Sequence, residues 1–297
     1  MEIPELENLL KDTKYASFFG SVQKVELKNY TYPDLFKIGK EETGYYAIKI
    51  RRNNEPHIID SLDCISKIVD PENVIYKNMD VFQKDGFIIQ VNKWINGKQP
   101  IDINREKIPE IFGKLACINK KNIVNGPYTT MYAEGKRFET IKEMVNWEMD
   151  QHKNYLPDGI NWMEVSEILK ELEKGIRSII VEDINTGNMY ITDDGKYKII
   201  DIDWLHNGLN LYQFDHFDYF NFYGNVWYVI TGEEARESYI AYFDELGISK
   251  EEANEQIRSS EILSILRQNT YWEKSNRPNE EEIKRRIKIV LERDRFI

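Results

Sequence analysis

The chain has 297 residues, with 40 Lys and Arg against 51 Asp and Glu, for a formal charge of −11. That balance lacks the basic footprint of a nucleic-acid or anionic-membrane partner, and no apolar run approaches the ~20 residues of a membrane span. A hydrophobic content of 41% with 12% aromatic residues excludes a disordered chain and supplies a core for one large domain or two lobes.

The N-terminus, MEIPELENLLKD, is acidic and carries no signal-peptide pattern. Cys64 and Cys117 are the only cysteines, both in apolar helical patterns. They read as buried thiols in a cytoplasmic chain, with neither a disulfide framework nor a zinc site. Strand-like runs follow: VQKVEL, LFKI, YYAIKI, NVIY and FIIQVNKW. Among them, Ile58, Leu62, Ile65 and Val69 share one face of a helix predicted over 57–69. Composition then changes. From about residue 98 the spacing is helical, first with Ile108, Ile111, Leu115 and Ile118. The segment 136–176 is helical and acidic, with a break near Pro157, Asp158 and Gly159. Helical patterns return at 235–247, 251–272 and 280–294. The strand-rich part, 1–95, and the helical part, 96–297, meet near 93–98, where Gly97 is a plausible pivot; no repeat or Ser/Gly linker separates them.

Residues 181–204, VEDINTGNMYITDDGKYKIIDIDW, carry the chemistry. They read as loop, strand, tight turn at Asp194-Gly195, strand and acid. Asp183 precedes Asn188 by five residues, and Asp201 closes the second apolar run. Phosphoryl transfer needs such parts: one acid to orient and deprotonate a hydroxyl, and an amide and a second carboxylate to hold Mg²⁺ on ATP phosphates. The competing reading is a surface hairpin with scattered turn acids.

These residues resemble HGDLHPGN…IIDW, the signature of the aminoglycoside phosphotransferase and choline-kinase-like superfamily, with VEDINTGN and IIDIDW in its place. The weak loop is similar to that of its divergent spore-coat kinase-like branch. The resemblance implies an α+β, bilobal protein-kinase-like fold, with a small antiparallel-sheet N-terminal nucleotide-binding lobe (1–95) and a large, mostly helical C-terminal catalytic and substrate-binding lobe (96–297). It implies ATP and Mg²⁺ as cofactors and a small-molecule hydroxyl as acceptor. Asp183 falls on the catalytic acid, Asn188 and Asp201 on the metal ligands, and Lys49 of Ala47-Ile48-Lys49 on the phosphate-binding lysine. The helix at 57–69 should carry the acid that pairs with Lys49, with Asp63 and Asp60 as candidates. Backbone groups near Lys93, Trp94 and Ile95 should bind adenine. Val181 stands for the family's His and Glu182 for a Gly. A glycine-rich loop is missing, with Gly20-Ser21 the nearest candidate. These departures leave open a kinase-fold binding or structural protein without turnover.

The residues after Asp201 separate kinase types. Asp201-Ile202-Asp203-Trp204 replaces Asp-Phe-Gly, and no A-P-E follows, which fits small-molecule kinases. Phe214, Phe217, Tyr219, Phe220, Phe222, Tyr223, Trp227 and Tyr228 then crowd around Asp215 and Asp218. This is either helix core, with Asp215 tethering the catalytic loop as in the family, or a cation pocket of acids and rings. On the second reading Asp203, Asp215 and Asp218 bind an amine-bearing acceptor. His57, His152, His206 and His216 show no metal spacing and read as surface or packing residues. No G-x-S-x-G elbow or Walker A motif occurs.

Overall fold

The computed structural model describes residues 1–18, 21–25, 34–42, 44–52, 56–77, 80–100, 104–133, 135–215, 232–271, 279–293 and 295–297. The fold is α+β, and the chain divides into two compact units, Met1–Pro56 with Tyr76–Gly97 and His57–Ile75 with Lys98–Ile297.

Among the described residues the first unit is a five-stranded antiparallel sheet with one α-helix. Helix α1 is Ile3–Leu10; the strands are β1 (Val22–Lys24), β2 (Asp34–Lys40), β3 (Gly44–Arg52), β4 (Asp80–Lys84) and β5 (Phe87–Lys93), in the order β1-β2-β3-β5-β4. The period of two sorts each strand. Phe36, Ile38, Ile48, Ile50, Ile89 and Val91 are buried with Leu6, Leu9 and Leu10 of α1 in one apolar cluster. Lys49 alternates with Ile48 and Ile50, so it takes the other face, opposite Leu35 and Gln90 in register. Helix α1 lies in the stretch read above only as acidic. Its signals are Pro4 in the first turn, a capping box between Glu2 and Glu5, and the Leu6-Leu9-Leu10 spacing. The expected strand at NVIY is absent. Ile75 makes a single parallel bridge to Ile199, while β4, which was not expected, pairs with β5.

Gly39, opposite Tyr45 in the β2–β3 hairpin, has φ +136°, and a Cβ there would stand 2.3 Å from the Gly44 carbonyl oxygen. Gly39→Ala should cost about 1–3 kcal/mol from backbone strain alone. Thermal melting should register this as a lowered Tm. An unchanged Tm would mean that the hairpin is built otherwise.

The second unit holds α2 (Pro56–Lys67), α3 (Lys107–Lys121), α4 (Ile141–His152), α5 (Trp162–Lys170), β6 (Arg177–Val181), β7 (Met189–Thr192), β8 (Tyr197–Ile199), β9 (Leu205–Leu209), α6 (Gly232–Leu246), α7 (Lys250–Tyr271) and α8 (Glu280–Glu292). Helix α2 stops two residues short of the predicted end, because Asp70-Pro71 forces the chain out of the helical region. Val69 is therefore 52% exposed rather than on the apolar face. Helix α3 buries Ile108, Ile111, Phe112, Leu115 and Ile118, adding Phe112 to the predicted face. Helix α7 is buried on several sides: Ile257, Ile262, Leu263, Ile265 and Leu266 share it with buried Ser260, Ser264, Arg267 and Gln268. A helix buried all round is a central one. No helix among the described residues is long and apolar enough to cross a membrane.

Candidate active site

Strands β6 and β9 make an antiparallel ribbon in the register Val181↔Leu205 to Arg177↔Leu209. Apolar Ile179, Ile180 and Val181 bury β6 and fix where it ends. At that end the Glu182 N–H donates to the Trp204 carbonyl at 3.1 Å. The residue before Asp183 is thereby tied to the residue after Asp203.

The loop then closes on itself. Asn185 Oδ1 accepts from the Gly187 and Asn188 N–H groups at 2.9 and 3.2 Å, capping a short 3₁₀ turn, Thr186–Asn188. Gln99 Nε2 holds the Gly187 carbonyl at 3.0 Å. Asn188 Nδ2 donates to the Asp183 carbonyl at 3.2 Å, which leaves Oδ1 as the end of the amide that a cation would use. The hairpin β7–β8, in the register Met189↔Ile199, returns the chain to this point. Its close is the Ile200 N–H donating to the Asn188 carbonyl at 2.8 Å. Asp201 follows, exposed, at φ +55°, a left-handed conformation that Asp tolerates better than most residues. The structure thus brings Asp183, Asn188 and Asp201 to one loop cluster. The predicted strand–turn–strand is there, with Gly195 at φ +77° in the turn.

Asp203 is 4% exposed and lines a small pocket with His57, Thr129, Gly135, Trp204 and His206. The His57 ring stacks on Trp204 at 3.9 Å, and Ser61 of α2 donates to the Ile202 carbonyl at 2.6 Å. Helix α2 is in this way fastened to the turn that follows Asp201. Asp63 on the same helix is 61% exposed and paired with Lys67 at 2.5 Å.

Beneath the loop lies a charge cluster of which only Asp215, the expected tether, was anticipated from the sequence. Arg267 and Glu182 are each 0% exposed, and their charged ends meet at 3.0 Å. Arg267 also bonds Glu148 and the Thr130 hydroxyl, the latter at 3.0 Å, and lies 3.8 Å from Asp215. Its guanidinium sits over the rings of Tyr132 and Tyr212 at 4.5 and 4.2 Å. Asp215 is 3% exposed and accepts from the Tyr132 hydroxyl at 2.5 Å, a place within this cluster. His152 bridges Glu148 and Thr270 at 3.1 and 2.8 Å, and His206 stands 2.9 Å from Glu182. Both histidines are buried polar partners, more than the surface or packing residues expected. The other sequence signal was Arg267 itself, an arginine inside the apolar run ILSILRQ.

Burial is the largest influence on the Glu148 carboxyl and pushes it up; Arg267 and then His152 outweigh it and hold it at about 2. Glu182 moves the same way, its burial outweighed by Arg267 and then His206. A folded-state pKa below the unfolded one stabilises above the unfolded value and loses that stabilisation as pH falls. For Glu148 the loss runs from its ordinary 4.5 down to about 2. Urea melts at pH 3 and pH 7 should therefore give the lower midpoint at pH 3, with a smaller difference in Glu148→Gln. An equal difference in both proteins would show that Glu148 does not carry the pH dependence.

In the first unit, Trp94 donates its N–H to the Tyr45 carbonyl at 2.8 Å, and the Lys93 carbonyl accepts from the Tyr76 hydroxyl at 2.6 Å. Lys37 lies over the Trp94 ring at 4.7 Å. Of the three residues expected at adenine, Ile95 is the one whose backbone is unengaged among the described residues. Gly20, His216, Asp218 and the aromatic stretch 216–231 lie outside the described residues, as does the Asp60 side chain.

The fold is the protein-kinase-like one of the aminoglycoside phosphotransferases. A thermostable mutant of aminoglycoside phosphotransferase APH(4)-Ia, solved with AMP-PNP and hygromycin B, superposes with a TM-score of 0.63 at 16% identity, covering 97% of each chain. An aminoglycoside phosphotransferase from Alicyclobacillus acidocaldarius gives 0.55 at 11% identity, over 91% of this chain and 88% of that one. The amicoumacin kinase hAmiN, solved with AMP-PNP, Ca²⁺ and Ami, gives 0.50 at 13% identity, over 99% and 97%. No family model matches the sequence, and no curated protein matches it.

Proposed function

We propose that the chain is an ATP- and Mg²⁺-dependent phosphotransferase acting on a hydroxyl of a small molecule that carries an amine. The observation that carries this reading is the loop cluster, with Asp183, Asn188 and Asp201 linked by the Asn188–Asp183 and Ile200–Asn188 hydrogen bonds. The similar solved proteins with bound nucleotide analogues support it.

The donor set suits magnesium. Among the described residues no three His, Cys, Asp or Glu side chains gather to hold a metal. Mg²⁺ needs no such cage, since it takes one or two protein oxygens and completes its shell with phosphates and water. Asn188 Oδ1 and the Asp201 carboxylate would be those oxygens. When bound, the ion neutralises charge on the transferring phosphoryl group. Asp183 orients the acceptor hydroxyl and takes its proton as the oxygen bonds to the γ-phosphorus and ADP departs. Lys49 is assigned to the α/β-phosphates, and the Trp94-Ile95 segment to adenine through Ile95. Asp203 is assigned to the acceptor amine, and Asp215 to holding the catalytic loop from below. The main chain and fixed charges do most of the work, since this chemistry asks little covalent help.

The test is transfer from Mg-ATP across a panel of hydroxyl metabolites with and without an amine, read as ADP release and a phosphorylated product. An amine-bearing acceptor is expected, and Asp203→Asn should raise its KM more than that of ATP. A neutral sugar as sole acceptor, unaffected by that change, would overturn the amine assignment. The second reading, nucleotide binding without turnover, is favoured by Val181 and by the missing glycine-rich motif. It requires Mg-ATP binding with no product from any acceptor.

A further inference from the structure

We propose that Glu182 is a positioning residue, clamped by Arg267 of α7, that fixes the direction in which the next residue, Asp183, presents its carboxylate. This inference rests on the phosphotransferase reading of Asp183.

Residue 181 is Val, buried at 2% and without a polar side-chain atom, so the loop gains no side-chain hydrogen bond there. The anchor lies one residue later. The Glu182 carboxylate is 0% exposed and meets four partners from three separate segments. One oxygen accepts from the Thr130 hydroxyl at 2.7 Å and lies 3.0 Å from Arg267 Nη1. The other accepts from the Met131 N–H at 2.7 Å and lies 2.9 Å from His206 Nε2. The main chain of Glu182 is held as well, through its N–H to the Trp204 carbonyl at 3.1 Å. A buried carboxylate with both oxygens engaged cannot turn without breaking charge-assisted bonds. Its backbone is held on the same account, and the Cα–Cβ direction of Asp183 follows from that backbone. Arg267 is itself pinned by Glu148 and Thr130, so the clamp reaches from the central helix to the acid.

A charge cluster of this kind also stabilises, so the test needs a readout that loss of stability alone does not move. Hydrogen exchange of the nucleotide-free protein supplies one. Glu182→Gln removes the charge at nearly constant shape. It should speed amide exchange across 183–188 by about tenfold, as expected for losing a bond to a charged group. Val290→Ala in α8, a buried core change, serves as the control: it should lower Tm without selective exchange at 183–188. If Glu182→Gln proves unfolded, Thr130→Val, which removes one donor, should raise exchange in the same stretch to a smaller degree. Uniformly faster exchange in Glu182→Gln and the control alike, or no change at 183–188, would overturn the clamp. The second readout is turnover. Loss of kcat with KM for ATP unchanged is expected in Glu182→Gln, and a kcat equal to that of the native protein would overturn positioning. Absence of turnover in the native protein would overturn the phosphotransferase reading, while the exchange result would still decide whether the loop is clamped.

Discussion

Asp183→Asn should abolish phosphoryl transfer while leaving Mg-ATP affinity nearly intact. The amide keeps the shape of the carboxylate but cannot take the acceptor's proton, a role worth about 10²–10⁴-fold in rate. The two predicted metal ligands, Asn188 and Asp201, are untouched, and the hydrogen bond from Asn188 Nδ2 runs to the main-chain carbonyl of residue 183, which the substitution preserves. Asp201→Ala should behave in the opposite way, weakening metal-dependent nucleotide binding first. Single-turnover rates and calorimetric affinities on the two variants separate the roles. Equal loss of ATP binding in both would reverse the assignment, and so would turnover retained in both.

Arg267→Met should be the most destabilising single change in the second unit. The side chain is 0% exposed and is the cation shared by Glu148, Glu182 and Asp215. Methionine matches much of its apolar volume and leaves these acids facing one another. Breaking a buried pair from one side costs roughly 3–5 kcal/mol, because the abandoned charge stays buried. Adding Glu182→Gln to Arg267→Met removes one of the stranded charges and should recover part of that loss, the coupling that a double-mutant cycle reads. Chemical denaturation measures both. A cost near zero for Arg267→Met would show that the cluster does not carry the loop. Strict additivity of the two changes would show that Arg267 and Glu182 act independently.

The site was legible in the sequence where chemistry and local pattern coincide. That Asp183, Asn188 and Asp201 share one loop cluster was readable because their spacing is set by a short loop and a hairpin, and the hairpin was visible in MYIT, Asp194-Gly195 and KYKII. The five-stranded sheet was visible in part, since YYAIKI and FIIQVNKW alternate or run apolar as strands do. NVIY has the same apolar character and forms only a bridge, because strand formation there depends on a partner that local sequence does not name. The buried cluster was barely legible, its signals being Arg267 inside the apolar run ILSILRQ and the expected tether at Asp215. Glu182, Glu148, Asp215 and Arg267 lie far apart in the chain, and a charged residue's burial is decided by which distant partner meets it. Glu182 looked like a departure from a motif, and its structural surroundings are what make sense of it.

The proposed function requires the loop cluster of Asp183, Asn188 and Asp201 to serve a magnesium nucleotide. Isothermal titration of ATP into the native protein, with Mg²⁺ and with EDTA, measures this, with Asp201→Ala as the paired variant. Binding should require Mg²⁺ and weaken by about tenfold or more in Asp201→Ala, the loss expected for a charge-bearing ligand. No heat of binding at millimolar Mg-ATP, or binding equally tight in EDTA and in Asp201→Ala, would contradict that function.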